Sequence, residues 1–120
     1  MNHFANIAHQ LPQRGLHAML ITSEPGEFYA AGFHGEGVAL ITPERTWYYT
    51  DSRYIEAAQA IQGAEIGMIR TGQTYRQLVQ DLVSAHGIQR LGFEDGSMSV
   101  ADYNLWTQDV KGNLYPLPIF

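Results

Sequence analysis

The chain has 120 residues, 45% of them hydrophobic, which suits one domain with its own buried core and leaves no room for a second. Twelve acidic against seven basic residues give a formal charge of -5, with Lys111 the one lysine, which excludes a basic track for nucleic acid and a lysine-led phosphate cradle. Cysteine is absent, excluding disulfides and thiolate metal sites, and with neither a signal-peptide start nor an apolar run near the ~20 residues that cross a bilayer, the sequence predicts a soluble, cytoplasmic protein without membrane or nucleic-acid partners.

Phe4, Ile7, Ala8 and Leu11 fall on one helical stripe, which Pro12 ends or kinks and Gly15 closes. Residues 17–22 form an apolar run of strand length, buried on both faces. Pro25 and Gly26 open a short helical segment that stops at Gly32. Residues 37–42 and 45–50 are strand-like and separated by Pro43-Glu44, which predicts an antiparallel hairpin.

Ile55, Ala58 and Ile61 carry the next helical stripe up to Gly63, and residues 65–70 read as another strand. Thr74 and Gln77 form a capping box ahead of Tyr75, Leu78, Leu82 and Ala85, with Gly87 at the position after the C-cap. Residues 90–94 are the fifth strand. Ser99 and Asp102 cap a helix striped by Val100, Tyr103, Trp106 and Val110 and ended by Gly112. Residues 113–118 carry two prolines and are assigned to an edge strand. The sum is a single α/β domain over residues 1–120, with an approximately six-stranded mixed sheet flanked by helices. The apolar end at Phe120 reads as a cut within a longer protein.

Chemistry is sparse along this chain. The five histidines are scattered with no His-x-His or His-Glu-x-x-His pair, so no metal site is expected. Ser23, Ser52, Ser84, Ser97 and Ser99 read as turn or cap residues, and no nucleophile elbow is present. Gly32-Phe33-His34-Gly35-Glu36-Gly37 lacks the Lys-Ser/Thr of a phosphate loop and reads as a sharp turn. Asp51 at a strand end lacks the acidic pair and the lysine that a phosphoacceptor domain requires. Asp51 and Arg53 lie two apart, which on a strand places them on one face. Two readings stay open: an internal pair that fixes the turn, or an Arg53 fork that projects to recognise a carboxylate or carbonyl.

Four segments together carry a resemblance: Gly15-Leu16-His17-Ala18-Met19-Leu20-Ile21, Phe28-Tyr29-Ala30-Ala31-Gly32-Phe33, Thr50-Asp51-Ser52-Arg53-Tyr54 and Leu91-Gly92-Phe93-Glu94. In order and spacing they resemble the amino-terminal domain of the creatinase, prolidase and aminopeptidase P group, the pita-bread enzymes, over nearly the whole chain. Pro12, Ala30-Ala31 and His34 depart from the pattern. The resemblance implies a ribonuclease-H-like layer fold in which Gly32, Asp51, Tyr54, Gly92 and Glu94 are structural motif positions. It implies that Phe33, His34 and Arg53 lie nearest a substrate pocket, with no catalytic or metal-ligating residue in this chain.

The two divalent metals of the parent enzyme, manganese, cobalt or zinc, belong by the same resemblance to a downstream catalytic domain absent from this chain. The implied function is the non-catalytic domain of an Xaa-Pro dipeptidase or aminopeptidase, lining the pocket for an Xaa-Pro peptide and pairing as a homodimer. The alternatives are a stand-alone α/β ligand-binding or signalling module, and the matching domain of a metal-free creatinase-like amidinohydrolase.

Overall fold

The computed structural model describes residues 2–96 and 98–117. Ser97 and the expected tail end, residues 118–120, lie outside them. The elements follow in the order α1 (Phe4–Gln10), a 3-10 turn (Pro12–Arg14), β1 (Ala18–Ile21), α2 (Glu24–Ala31), β2 (Gly37–Ile41), β3 (Thr46–Thr50), α3 (Ile55–Ala58), β4 (Glu65–Met68), α4 (Tyr75–Ala85), β5 (Arg90–Glu94), α5 (Val100–Asp109) and β6 (Asn113–Leu117). They build one six-stranded sheet in the order β4-β3-β2-β1-β5-β6. The expected α/β domain with a mixed, helix-flanked sheet is the fold observed.

The sheet is mixed because of one strand. β2 runs antiparallel to both β1 and β3, while β1 with β5, β3 with β4 and β5 with β6 are parallel. The carboxyl ends of five strands and the start of β2 therefore meet at one edge, the position where open α/β sheets carry their sites.

Strand alternation divides the core. Ala18, Leu20, Val38, Leu40 and Trp47 face Leu78, Val79 and Val83 of α4 together with Trp106 of α5. Met19, Ile21, Ala39, Ile41 and Tyr48 face Phe4 and Ile7 of α1, Ala30 of α2 and Ala58 of α3. All four residues of β1 are buried, as its unbroken apolar run requires.

The helix caps follow their sequence signals. Thr74 and Gln77 complete a reciprocal capping box, and the Ser99 side chain accepts from the Asp102 amide. α1 ends at Gln10, because Pro12 removes the next amide donor and the chain tightens into the 3-10 turn closed by left-handed Gly15.

Three local expectations are corrected. The stripe through Ile61 is a four-residue helix continued by i→i+3 bonds from the amides of Gln59, Ala60 and Ile61, so it is a tight turn more than a helix. α5 stops at Asp109 instead of running to Gly112, because Val110 turns extended and enters the core. Val100 at the head of that helix is 78% exposed, leaving Trp106 and Val110 as the buried part of the stripe.

Gly92 and Gly37 mark close approaches. A Cβ on Gly92 would meet Leu16 and Leu117 side chains at 2.9 Å and the Met19 sulfur at 3.0 Å. At Gly37 it would run into the Tyr49 carbonyl oxygen, a backbone atom fixed by the β2–β3 ladder. Gly37→Ala is expected to cost about 2–3 kcal/mol of stability by pushing that ladder apart. An unchanged urea midpoint would show that the strands have room to give.

Candidate functional site

The carboxyl edge of the sheet brings together residues far apart in sequence, and buried carboxyl groups lie beneath it. Glu94, the last residue of β5, is 2% exposed. Its Oε1 accepts from the amides of Thr22 at 3.0 Å and Ser23 at 3.2 Å, and its Oε2 from the Ser23 hydroxyl at 2.6 Å. Ser23 Oγ in turn accepts from the Gly26 amide at 3.0 Å, which makes it the N-cap of α2. Glu94 thus fastens the end of β1 and the start of α2 to β5. Gly26 is required there, since a Cβ would strike the Glu94 carboxylate.

Glu27 is the second buried acid, also 2% exposed. It accepts from the Tyr48 hydroxyl at 2.6 Å and from the Gly37 amide. Burial raises its pKa from 4.5 to about 7; those two hydrogen bonds pull the other way, and the charges of Glu24 and Glu94 push it further up. Burial and the same carboxyl group drive the Tyr48 phenol well above its ordinary range. Nearby, the Tyr75 hydroxyl is buried without a hydrogen-bond partner among the described residues. A cleft of about 600 Å³ opens over this ground, lined in part by Thr22, Glu27, Glu36, Gly37, Asp51 and Tyr75.

Of the sequence-derived candidates Phe33, His34 and Arg53, none lines this cleft; Arg53 reaches it through its ion pairs to Asp51 and Glu36, which do. Gly32, left-handed at φ 68°, stops α2 and turns the chain into loop 33–36. Phe33 sets its ring edge-on to Tyr48 with centroids 6.0 Å apart, and His34 stacks on Phe28 at 4.0 Å. Glu36 gives its carbonyl to the Thr50 hydroxyl at 2.6 Å.

Asp51 and Arg53 lie in the turn after β3 instead of on a strand face, yet they do pair. Asp51 accepts from the Arg53 amide at 2.9 Å and from Nη2 at 2.7 Å, with Nε shared between both oxygens at 3.2 Å. The guanidinium also meets Glu36 at 2.9 Å and sits 5.1 Å over the Tyr54 ring. Its hydrogen bonds hold the Asp51 carboxyl below the usual range. Even so, the Arg53 side chain is 61% exposed. Of the two readings left open by the sequence, the internal pair is present: Arg53 pins its own turn, and its outer face remains exposed to solvent.

Sequence reasoning missed Glu27, Tyr48 and Tyr75. A signal for Glu27 exists: it shares the i, i+3, i+4 stripe of α2 with Ala30 and Ala31, both buried, so a carboxyl group is carried on the apolar face. Tyr48 alternates with Trp47 and so must face the opposite layer, where Glu27 waits.

The acids at this edge do not fit a dinuclear metal centre. Glu27, Glu94 and Asp51 are spent on Tyr48, on the β1–α2 turn and on Arg53, and among the described residues no group of three or more metal-ligating side chains converges. A second cleft, of about 510 Å³, lies at the opposite edge among His17, Arg45, His86 and Arg90. Its basic groups are largely occupied: Arg45 holds Glu65 at 2.7 and 2.8 Å, and His17 Nδ1 accepts from the amides of Gln89 and Arg90.

The profile of the creatinase/prolidase N-terminal domain matches residues 4–118. The chain belongs to this family. Among curated proteins, an uncharacterized peptidase, YqhT, of Bacillus subtilis strain 168 is 41% identical over 93 residues, which are 76% of this chain and 26% of that protein. An Xaa-Pro dipeptidase from Bacillus anthracis superposes with a TM-score of 0.87 at 28% identity, covering 96% of this chain and 32% of the other. An Xaa-Pro aminopeptidase structure from Streptococcus pyogenes gives 0.85 at 32% identity, covering 97% and 89%. The creatinase/prolidase domain described here thus spans about a quarter of the curated relative and a third of the dipeptidase.

Proposed function

We propose that this chain is the non-catalytic amino-terminal domain of a cytoplasmic Xaa-Pro metallopeptidase. In this reading hydrolysis and the two divalent metals belong to a catalytic domain that follows it, and the domain contributes to a homodimer in which loop 33–36 and Arg53 face the substrate pocket. The observation that carries the reading is the convergence of exposed Arg53 with loop 33–36 through Glu36, at the carboxyl edge of the sheet. A guanidinium with free face and fixed base suits a peptide carboxylate or carbonyl. The likeness to a dipeptidase and an aminopeptidase, both named for Xaa-Pro substrates, supports the substrate class. No helix among the described residues is long and apolar enough to cross a membrane.

The test is Arg53→Lys in the full-length enzyme. Its partners Asp51 and Glu36 form exposed ion pairs, which add little stability, so folding is expected to be nearly unchanged. The value of kcat/KM for Xaa-Pro dipeptides should fall roughly tenfold, about 1.4 kcal/mol of lost transition-state binding. His34→Ala should act in the same direction without moving the melting temperature. Unchanged kinetics in both variants would remove the reason for placing substrate at this face.

A further inference from the structure

His34 is exposed, and among the described residues neither of its ring nitrogens has a hydrogen-bond partner. A surface histidine held by nothing would sample several rotamers. This one is held: its imidazole lies on the Phe28 ring, with centroids 4.0 Å apart and planes within 14° of parallel. Among the described residues, that stack is the one directed interaction its side chain makes.

Phe28 is 49% exposed on the solvent side of α2, while Glu27, Ala30 and Ala31 on the opposite side are buried. A single exposed phenylalanine needs no special cause. What distinguishes this one is the ground it stands on. Ser23 binds the start of the helix to Glu94 of β5, and Glu27 binds its middle to Tyr48 of β3. The Phe28 carbonyl itself accepts from the Gly32 amide at 2.9 Å, which closes the last turn. The ring beneath His34 is thus borne by a helix tied to two strands.

Loop 33–36 divides its two rings accordingly. Phe33 turns inward to meet Tyr48 edge-on, and His34 turns outward to Phe28. An aromatic face fixes the plane of an imidazole without consuming a donor or an acceptor, whereas a hydrogen bond would occupy one of its two nitrogens. Both nitrogens of His34 therefore stay available to a ligand.

We propose that Phe28 is the positioning residue of His34, fixing the imidazole plane so that a ring nitrogen is presented to a peptide carbonyl or carboxylate brought against this face. The inference rests on the reading of loop 33–36 as substrate-facing, and it adds to that reading a residue outside the loop. Phe28 makes no substrate contact of its own. It acts through His34.

Two measurements separate the stack from its use. In proton NMR of the 120-residue chain, the His34 ring protons should lie upfield of those of an unstacked histidine, because they sit over the Phe28 face. Phe28→Tyr should keep that shift, and Phe28→Leu, which retains bulk and helix propensity without a ring, should abolish it. In the full-length enzyme, Phe28→Leu is expected to raise KM for Xaa-Pro dipeptides about three- to tenfold with kcat nearly unchanged, and Phe28→Tyr to keep the wild-type value. In a His34→Ala background the same leucine should change KM by less than about twofold, since nothing is left to position.

An unshifted His34 in the wild-type chain would overturn the proposal and leave the substrate-facing reading of the loop standing. So would a wild-type KM in Phe28→Leu when His34→Ala lowers kcat/KM. A Phe28→Leu effect that persists in full without His34 would make Phe28 a contact in its own right and equally overturn the positioning role. If His34→Ala itself leaves the kinetics unchanged, the proposal falls together with the part given to His34, whatever Arg53→Lys shows.

Discussion

Glu94→Ala is expected to lower the unfolding free energy by about 3–5 kcal/mol. The substitution removes one buried carboxylate but orphans three donors, the amides of Thr22 and Ser23 and the Ser23 hydroxyl, which point at it from the β1–α2 turn. A typical net hydrogen bond contributes only about 1 kcal/mol, but a buried donor left unpaired costs its full desolvation. The turn cannot move away from the gap, because Ser23 is also the N-cap on which the first turn of α2 depends.

Glu94→Gln separates the components. It preserves shape and one carbonyl acceptor for the two amides, and loses only the acceptor for the Ser23 hydroxyl, so the cost should be about 1–2 kcal/mol. Urea denaturation of the three proteins checks this order. Glu94→Ala within 1 kcal/mol of wild type would mean that water replaces the carboxylate, and that the β5 end is not what secures α2.

The contrast between Glu94 and Glu27 explains how much the sequence could reveal. Glu94 ends a run, Arg90 to Glu94, whose strand is found with the expected bounds, and its place after Gly92 and Phe93 carried the resemblance. The order of the strands, the β2–β3 hairpin and the Thr74 capping box were legible because each rests on local chemistry: alternation, a short polar link, a side chain reaching three residues ahead; the strand ends were not, β4 stopping at Met68 where a run to residue 70 was expected. Glu27 was hidden for the opposite reason. Its partners sit on β3 and β2, and nothing near position 27 in the chain shows that a tyrosine hydroxyl will reach it.

Arg53 lies between these cases. Its pairing with Asp51 is local and was one of two sequence readings, while Glu36 joins it only because antiparallel β2 starts where β3 ends. Asp51 and Arg53 themselves lie past the end of β3 at Thr50, in the turn that leads to α3. The stripe of α5 failed at Val100, which keeps the helical period yet is 78% exposed, so periodicity continues where burial has stopped.

Glu27 also predicts how stability should vary with pH. Its pKa in the folded chain, about 7, lies above its ordinary 4.5, so folding favours the protonated form. The contribution is then fully present below pH 4.5, and is lost as pH rises through 7, where the native state must carry a buried charge. The full loss is about 3 kcal/mol, the free-energy equivalent of moving a pKa from 4.5 to about 7. Asp51 and Glu65 run the opposite way, their carboxyl groups being held low by Arg53 and Arg45, so they weaken the fold in more acid solution and would blur a wild-type profile read alone. The difference between Glu27→Gln and wild type cancels them. That difference should favour the glutamine protein increasingly from pH 4.5 upward and level off above pH 7, by up to about 3 kcal/mol in urea-derived stabilities. A difference that stays constant across the range would mean that Glu27 ionises in the fold as readily as in the unfolded chain, and that its burial beside Tyr48 carries no penalty.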